Sequence, residues 1–158
     1  MTIFTHGAAY QIIGSEPEKW RPASKETADH SLPYCTAVAL RDGNVTDESF
    51  EKKNFRDVQL IRFIRKIKVV EDPKYTSDYL SSFGNRLEIN LYDGKKLVKE
   101  VMHPFGHPKN PMSDEDIFNK WRRLSEPHLS KDKIDKQIER IMQLEKLQNL
   151  GDLLPVVN

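Results

Sequence analysis

Glu26-Thr27-Ala28-Asp29-His30-Ser31-Leu32-Pro33-Tyr34, running on into Cys35-Thr36-Ala37-Val38-Ala39-Leu40, begins polar and turns apolar. Asp29 and Ser31 are both helix N-cap candidates, because a side-chain oxygen there accepts from a free first-turn N–H. Pro33 suits the first turn, where its missing N–H would have had no helical partner. Ala37-Val38-Ala39-Leu40 is small and apolar enough for close packing, and Arg41-Asp42-Gly43 ends the helix on a residue free to take a left-handed backbone. The pattern predicts a buried helix with His30 and Tyr34 one turn apart on the same face of its polar N-terminal end. Free N–H groups and the helix dipole favour an anion there. A histidine can move a proton near neutral pH, and a tyrosine hydroxyl can orient a carboxylate.

Outward from this helix, Thr2-Ile3-Phe4-Thr5 reads as a short strand, and Ala8 to Ile13 as a helical turn or two closed by Gly14. Ser15 to Thr27 reads as a loop anchored by Trp20. Thr46 caps a short helix with acids in its first turn, and Asp57 caps the next. Ile67 to Val70 reads as a strand ended by Asp72-Pro73. Leu87, Ile89 and Leu91 alternate with polar residues as in a half-buried strand. Asp93-Gly94 turns a hairpin, and Leu97 to Met102 returns. His103 to Pro111 is proline-rich and must be a loop. Ser113 caps a helix to about Leu124, broken at Glu126-Pro127. Ser130 caps a longer one with Ile134, Ile138, Ile141 and Met142 on one face. The order gives an α+β fold: a small mixed sheet with a β-hairpin and packed helices, then C-terminal helices.

At 158 residues the chain suits one domain with a real core. Its net charge of +1 supplies no field for nucleic acid or an anionic membrane. The basic run of Lys52, Lys53, Arg56, Arg62, Arg65, Lys66 and Lys68 is diluted by Asp47, Glu48, Glu51 and Asp57 and reads as a solvated face. Cys35 is the single cysteine, so no internal disulfide forms, which fits a reducing, cytoplasmic setting. It reads as a small buried residue rather than a nucleophile. No secretory leader or membrane span is expected. His103 and His107 lie on a proline-rich loop without acids or cysteine at ligand spacing, so no metal site is expected.

Asp29-His30-Ser31-Leu32-Pro33-Tyr34, Ala37-Val38-Ala39-Leu40 and Asp42-Gly43 closely resemble the C-terminal region of the MmgE/PrpD family. Val69-Val70-Glu71-Asp72-Pro73, Leu91-Tyr92-Asp93-Gly94 and Gly106-His107-Pro108-Lys109-Asn110-Pro111-Met112-Ser113-Asp114-Glu115 follow in the family's order. That family includes 2-methylcitrate dehydratase and cis-aconitate decarboxylase. The resemblance implies a lid-like α+β domain over residues 1–110 and, over 111–158, C-terminal helices that return to a large helical domain. It implies a hydro-lyase that needs no metal, cluster or other cofactor. Such enzymes abstract a proton beside a carboxylate, which calls for a base and for cations.

The family's catalytic His and Lys match no part of this sequence, so no catalytic residue is assigned. The chain is expected to be a C-terminal fragment or small subunit, and inactive in isolation. Tyr34 and His30 are its expected substrate-binding residues, on one wall of a cleft shared with the helical domain. The expected partners are a tricarboxylate substrate, that domain or subunit, and further copies in an oligomer, with no nucleic acid or membrane. The alternative is a non-catalytic binding or scaffold module derived from the family.

Overall fold

The computed structural model describes residues 1–149, 151 and 153. They fall into two compact units, Met1–Pro104 and a second from Phe105 onward. Of the apolar tail Leu153-Leu154-Pro155-Val156-Val157, all but Leu153 lies outside the described residues.

In the first unit, strand β1 (Thr2–Thr5) lies inside a four-stranded sheet. Strand β2 (Lys68–Glu71) runs parallel on one side of it, and β3 (Asn85–Asn90) antiparallel on the other. Strand β4 (Lys96–Val101) pairs with β3 at the outer edge. The mixed sheet and its helices make the fold α+β. Gly94 turns the β3–β4 hairpin with φ +86°, a value that favours glycine.

The long connection from β1 to β2 is helical. It holds α1 (Gly7–Ile13), a 3₁₀ turn at Pro17–Trp20, α2 (Lys25–Asp29) and α3 (Leu32–Asp42). A second 3₁₀ turn at Asp47–Phe50, then α4 (Lys52–Phe55) and α5 (Val58–Ile64), complete it. Ile3 pairs in register with Val69 and with Leu87, so all three share one face of the sheet. Ala37 and Val38 of α3 and Leu60 and Ile64 of α5 join Ile3 in the buried core. Ala37, Val38 and Ile64 are fully buried. The small residues of α3 let its backbone approach closely, as their pattern predicts.

Two elements correct the sequence reading. Ser15 to Thr27 is not all loop: Ser24 Oγ accepts from the Thr27 N–H and opens α2. Asp72-Pro73 does more than end a strand. Asp72 caps, and Pro73 begins, helix α6 (Pro73–Ser77), which leads to β3. Trp20 does anchor its segment, its Nε1–H donating to the Ile67 carbonyl at 2.9 Å.

In the second unit, Ser113 and Asp116 form a reciprocal capping box at the start of α7 (Asp114–Ser125). Helix α8 (Lys131–Ile141) buries Ile134 and Ile138 and leaves Ile141 partly exposed. Arg122 of α7 reaches Asp135 of α8 at 3.3 Å. Among the described residues, no helix is long and apolar enough to cross a membrane.

Candidate functional site

The junction between α2 and α3 holds both residues singled out from the sequence, in an arrangement that differs from the expected one. His30 is not on the helix of Tyr34. It is the C-cap of α2, and Ser31 is the N-cap of α3. The helix-face argument therefore fails, because the chain changes direction between them.

Ser31 binds this corner together. Its Oγ accepts from the Tyr34 N–H at 3.0 Å and donates to the Lys19 carbonyl. The serine itself is buried. The N-terminus of α3 is thus capped from inside the fold.

Tyr34 is fully buried. Its hydroxyl donates to the Ser49 carbonyl at 2.5 Å, and its ring lies 6.1 Å from that of Phe50. Burial pushes the phenol up to about 12, so it stays protonated and keeps donating. The side chain ties α3 to the Asp47–Phe50 turn. In this geometry its hydroxyl is spent on Ser49 and does not face solvent.

His30 is open to solvent, its side chain 67% exposed. Its Nδ1 lies 2.5 Å from Asp29 Oδ1 and 3.0 Å from the Glu26 carbonyl. Both neighbours are acceptors, so Nδ1 carries a proton. The hydrogen bond to Asp29, then that to Glu26, raises the imidazole above its ordinary value. When protonated, the ring can donate to an approaching carboxylate.

Cys35 packs its Sγ 3.7 Å from the Ala28 carbonyl. Burial raises its thiol, which disfavours a nucleophilic thiolate. Gly106 takes φ +95°, its N–H bonding to the Asn110 carbonyl, while Asn110 N–H bonds to His107 O. His107 Nδ1 accepts from Lys109 N–H at 3.1 Å, a loop-shaping contact. Among the described residues, no group of three or more His, Cys, Asp or Glu side chains could hold a metal ion.

Sequence reading missed His6. It caps α1, its Nδ1 accepting from Ala9 N–H at 3.2 Å, and stacks on Tyr79 with ring centroids 4.4 Å apart. A histidine just before a helix was the available signal.

Residues 1–146 match the MmgE/PrpD C-terminal domain. The chain is 28% identical over 132 residues to cis-aconitate decarboxylase of Mus musculus, covering 84% of this chain and 27% of that protein. It is 30% identical over 141 residues to a probable 2-methylcitrate dehydratase of Saccharomyces cerevisiae, with 84% and 27% covered. A 2-methylcitrate dehydratase-like protein of Aspergillus oryzae is 31% identical over 124 residues, with 73% and 25% covered. The chain thus spans 25–27% of the length of these relatives.

Proposed function

The chain belongs to the MmgE/PrpD family through its C-terminal domain, and from that premise we propose that it completes a 2-methylcitrate dehydratase-like lyase. It forms one wall of a cleft whose other wall is a helical domain, in the same chain or a separate subunit. The substrate is a tricarboxylate, and the reaction removes a proton beside a carboxylate and expels water. The base and most of the cations come from the helical partner. One observation carries this reading: a match over most of this chain to about a quarter of a relative.

Within that reading His30 is the substrate-facing residue. Its exposed imidazole meets a substrate carboxylate, while Asp29 and the Glu26 carbonyl hold the ring. Tyr34 is a positioning residue: it fixes the start of α3, beside His30, through its bond to Ser49.

The test is reconstitution with a helical domain of the family. The isolated chain should not dehydrate 2-methylcitrate, and the complex should. His30→Gln should lower kcat/KM of the complex roughly tenfold or more, the effect of losing one charged hydrogen bond, with little change in Tm at the assay pH. Dehydration by the isolated chain, or unchanged kinetics in His30→Gln, would overturn the respective assignment.

A further inference from the structure

Arg21 and Arg56 flank an apolar groove of about 410 Å³ in the first unit, with Pro22, Phe55, Val58 and Ile61 among its lining residues. Arg21 directly follows the Pro17–Trp20 turn, and Arg56 is the C-cap of α4. Phe55 is buried beneath the groove, whereas Val58 is 59% exposed.

Among the described residues, no carboxylate lines this groove. Neither guanidinium has a hydrogen bond or ion pair among the described residues. The acids nearby in sequence are already engaged. Asp57 accepts from Gln59 N–H at 2.8 Å and meets Arg41 at 3.0 Å, and Glu51 pairs with Lys53 at 2.9 Å. Arg62 and Arg65 add exposed positive charge along and just after α5. By contrast, Arg41 and Arg86 are held in ion pairs. Two free guanidiniums beside an exposed apolar floor make an unmatched demand for negative charge.

We propose that this groove binds a small organic dicarboxylate with an apolar body. Each guanidinium can hold one carboxylate through paired N–H donors, while the body covers Val58 and Ile61. The volume falls within the roughly 300–1,000 Å³ range of small-molecule pockets. Phe55 is buried and has no exposed ring face for a nucleobase, so the stacking that single-stranded nucleic acid needs is absent from this groove. The basic run that reads as a solvated face in the sequence thus acquires a defined recess.

The experiment is titration of the ¹⁵N-labelled 158-residue chain with phenylsuccinate, followed by amide shifts. Inorganic phosphate and the neutral phenylsuccinamide serve as comparators. The expected result is saturable binding in roughly the millimolar range, with shifts centred on Arg21, Ala23 and residues 55–61. Arg21→Gln/Arg56→Gln should weaken it at least about tenfold, with an unchanged spectrum elsewhere. The single variant Arg56→Lys should retain an intermediate affinity. Equal binding by the double Gln variant, by phosphate or by the neutral analogue would overturn the proposal, as would no saturation. An acidic amphipathic Glu/Leu peptide binding the same residues about tenfold tighter would make the groove a protein-docking surface and equally overturn it.

Discussion

One face of the β2-β1-β3-β4 sheet carries Ile3, Val69 and Leu87 under α3 and α5. The other carries Phe4, Val70, Arg86, Glu88, Val98 and Glu100, its register partners on the opposite side. There Arg86 stacks its guanidinium 3.9 Å over the Phe4 ring and pairs with Glu88. Lys96 also reaches Glu88, at 2.7 Å, and Tyr75 donates to Glu100 at 2.6 Å. Val70 and Val98 remain 39% and 55% exposed. The same strands thus hold a dry core on one side and a partly solvated ion network on the other. Surface ion pairs contribute about 0–1 kcal/mol each, whereas filling the core contributes several times more per residue. Stability should reside on the covered face, leaving the open one tolerant of change.

The strongest attempt to break this contrast is Ile64→Ala on the covered face. Ile64 is fully buried, and the cavity should cost about 2–5 kcal/mol in urea unfolding. Tyr34→Phe comes next. It leaves the buried Ser49 carbonyl without its donor, for a loss of about 1–3 kcal/mol. In a reconstituted lyase its kcat/KM should fall by much less than in His30→Gln, which separates its positioning role from substrate contact.

A smaller effect is expected from pH. Burial holds His6 below its ordinary value. As pH falls through about 6.5, the unfolded chain takes up a proton that the folded chain resists, so stability is lost; well above that value the difference vanishes. Tm should drop between about pH 7.5 and about pH 5.5, and His6→Asn, which keeps a cap acceptor, should flatten that drop. His30 acts with the opposite sign: its raised value gives a contribution present below about 6.5 and lost as pH rises through its folded value. It should therefore partly offset the His6 slope, and the acid-side drop in Tm should steepen in His30→Gln. The smallest effect is Val98→Thr on the open face, within about 0.5 kcal/mol of wild type. A Val98→Thr loss as large as that of Ile64→Ala would erase the distinction between the faces.

Much of this architecture is local enough to read from sequence. Ser31 and Pro33 begin a helix, Asp42-Gly43 ends it, Asp93-Gly94 turns a hairpin, and Ser113 opens α7. What escaped is decided at longer range. Pro17 and Pro22 disguise the short helix α2, which ends where His30 begins the corner into α3. Placing β2 and β3 on opposite sides of β1 depends on pairings that no local pattern encodes. The site divides the same way. The residue types of His30 and Tyr34 are visible, but the burial of Tyr34 is set by Ser49, beyond the end of its own helix.

The placement of β1 has a consequence for the order of assembly. Thr2 pairs with Lys68 and with Glu88, so the earliest strand must wait for segments made far later. Helices α3 and α5 can form turns from neighbours in sequence, but the sheet beneath them requires long loop closures first. Such non-local pairing slows folding, and each doubling of loop length adds only about 0.6 kcal/mol to the closure cost. The delay is thus chiefly kinetic. During synthesis β1 should stay unpaired until the β2 and β3 segments have left the ribosome, and protection of its amides should appear late, together with that of β2 and β3.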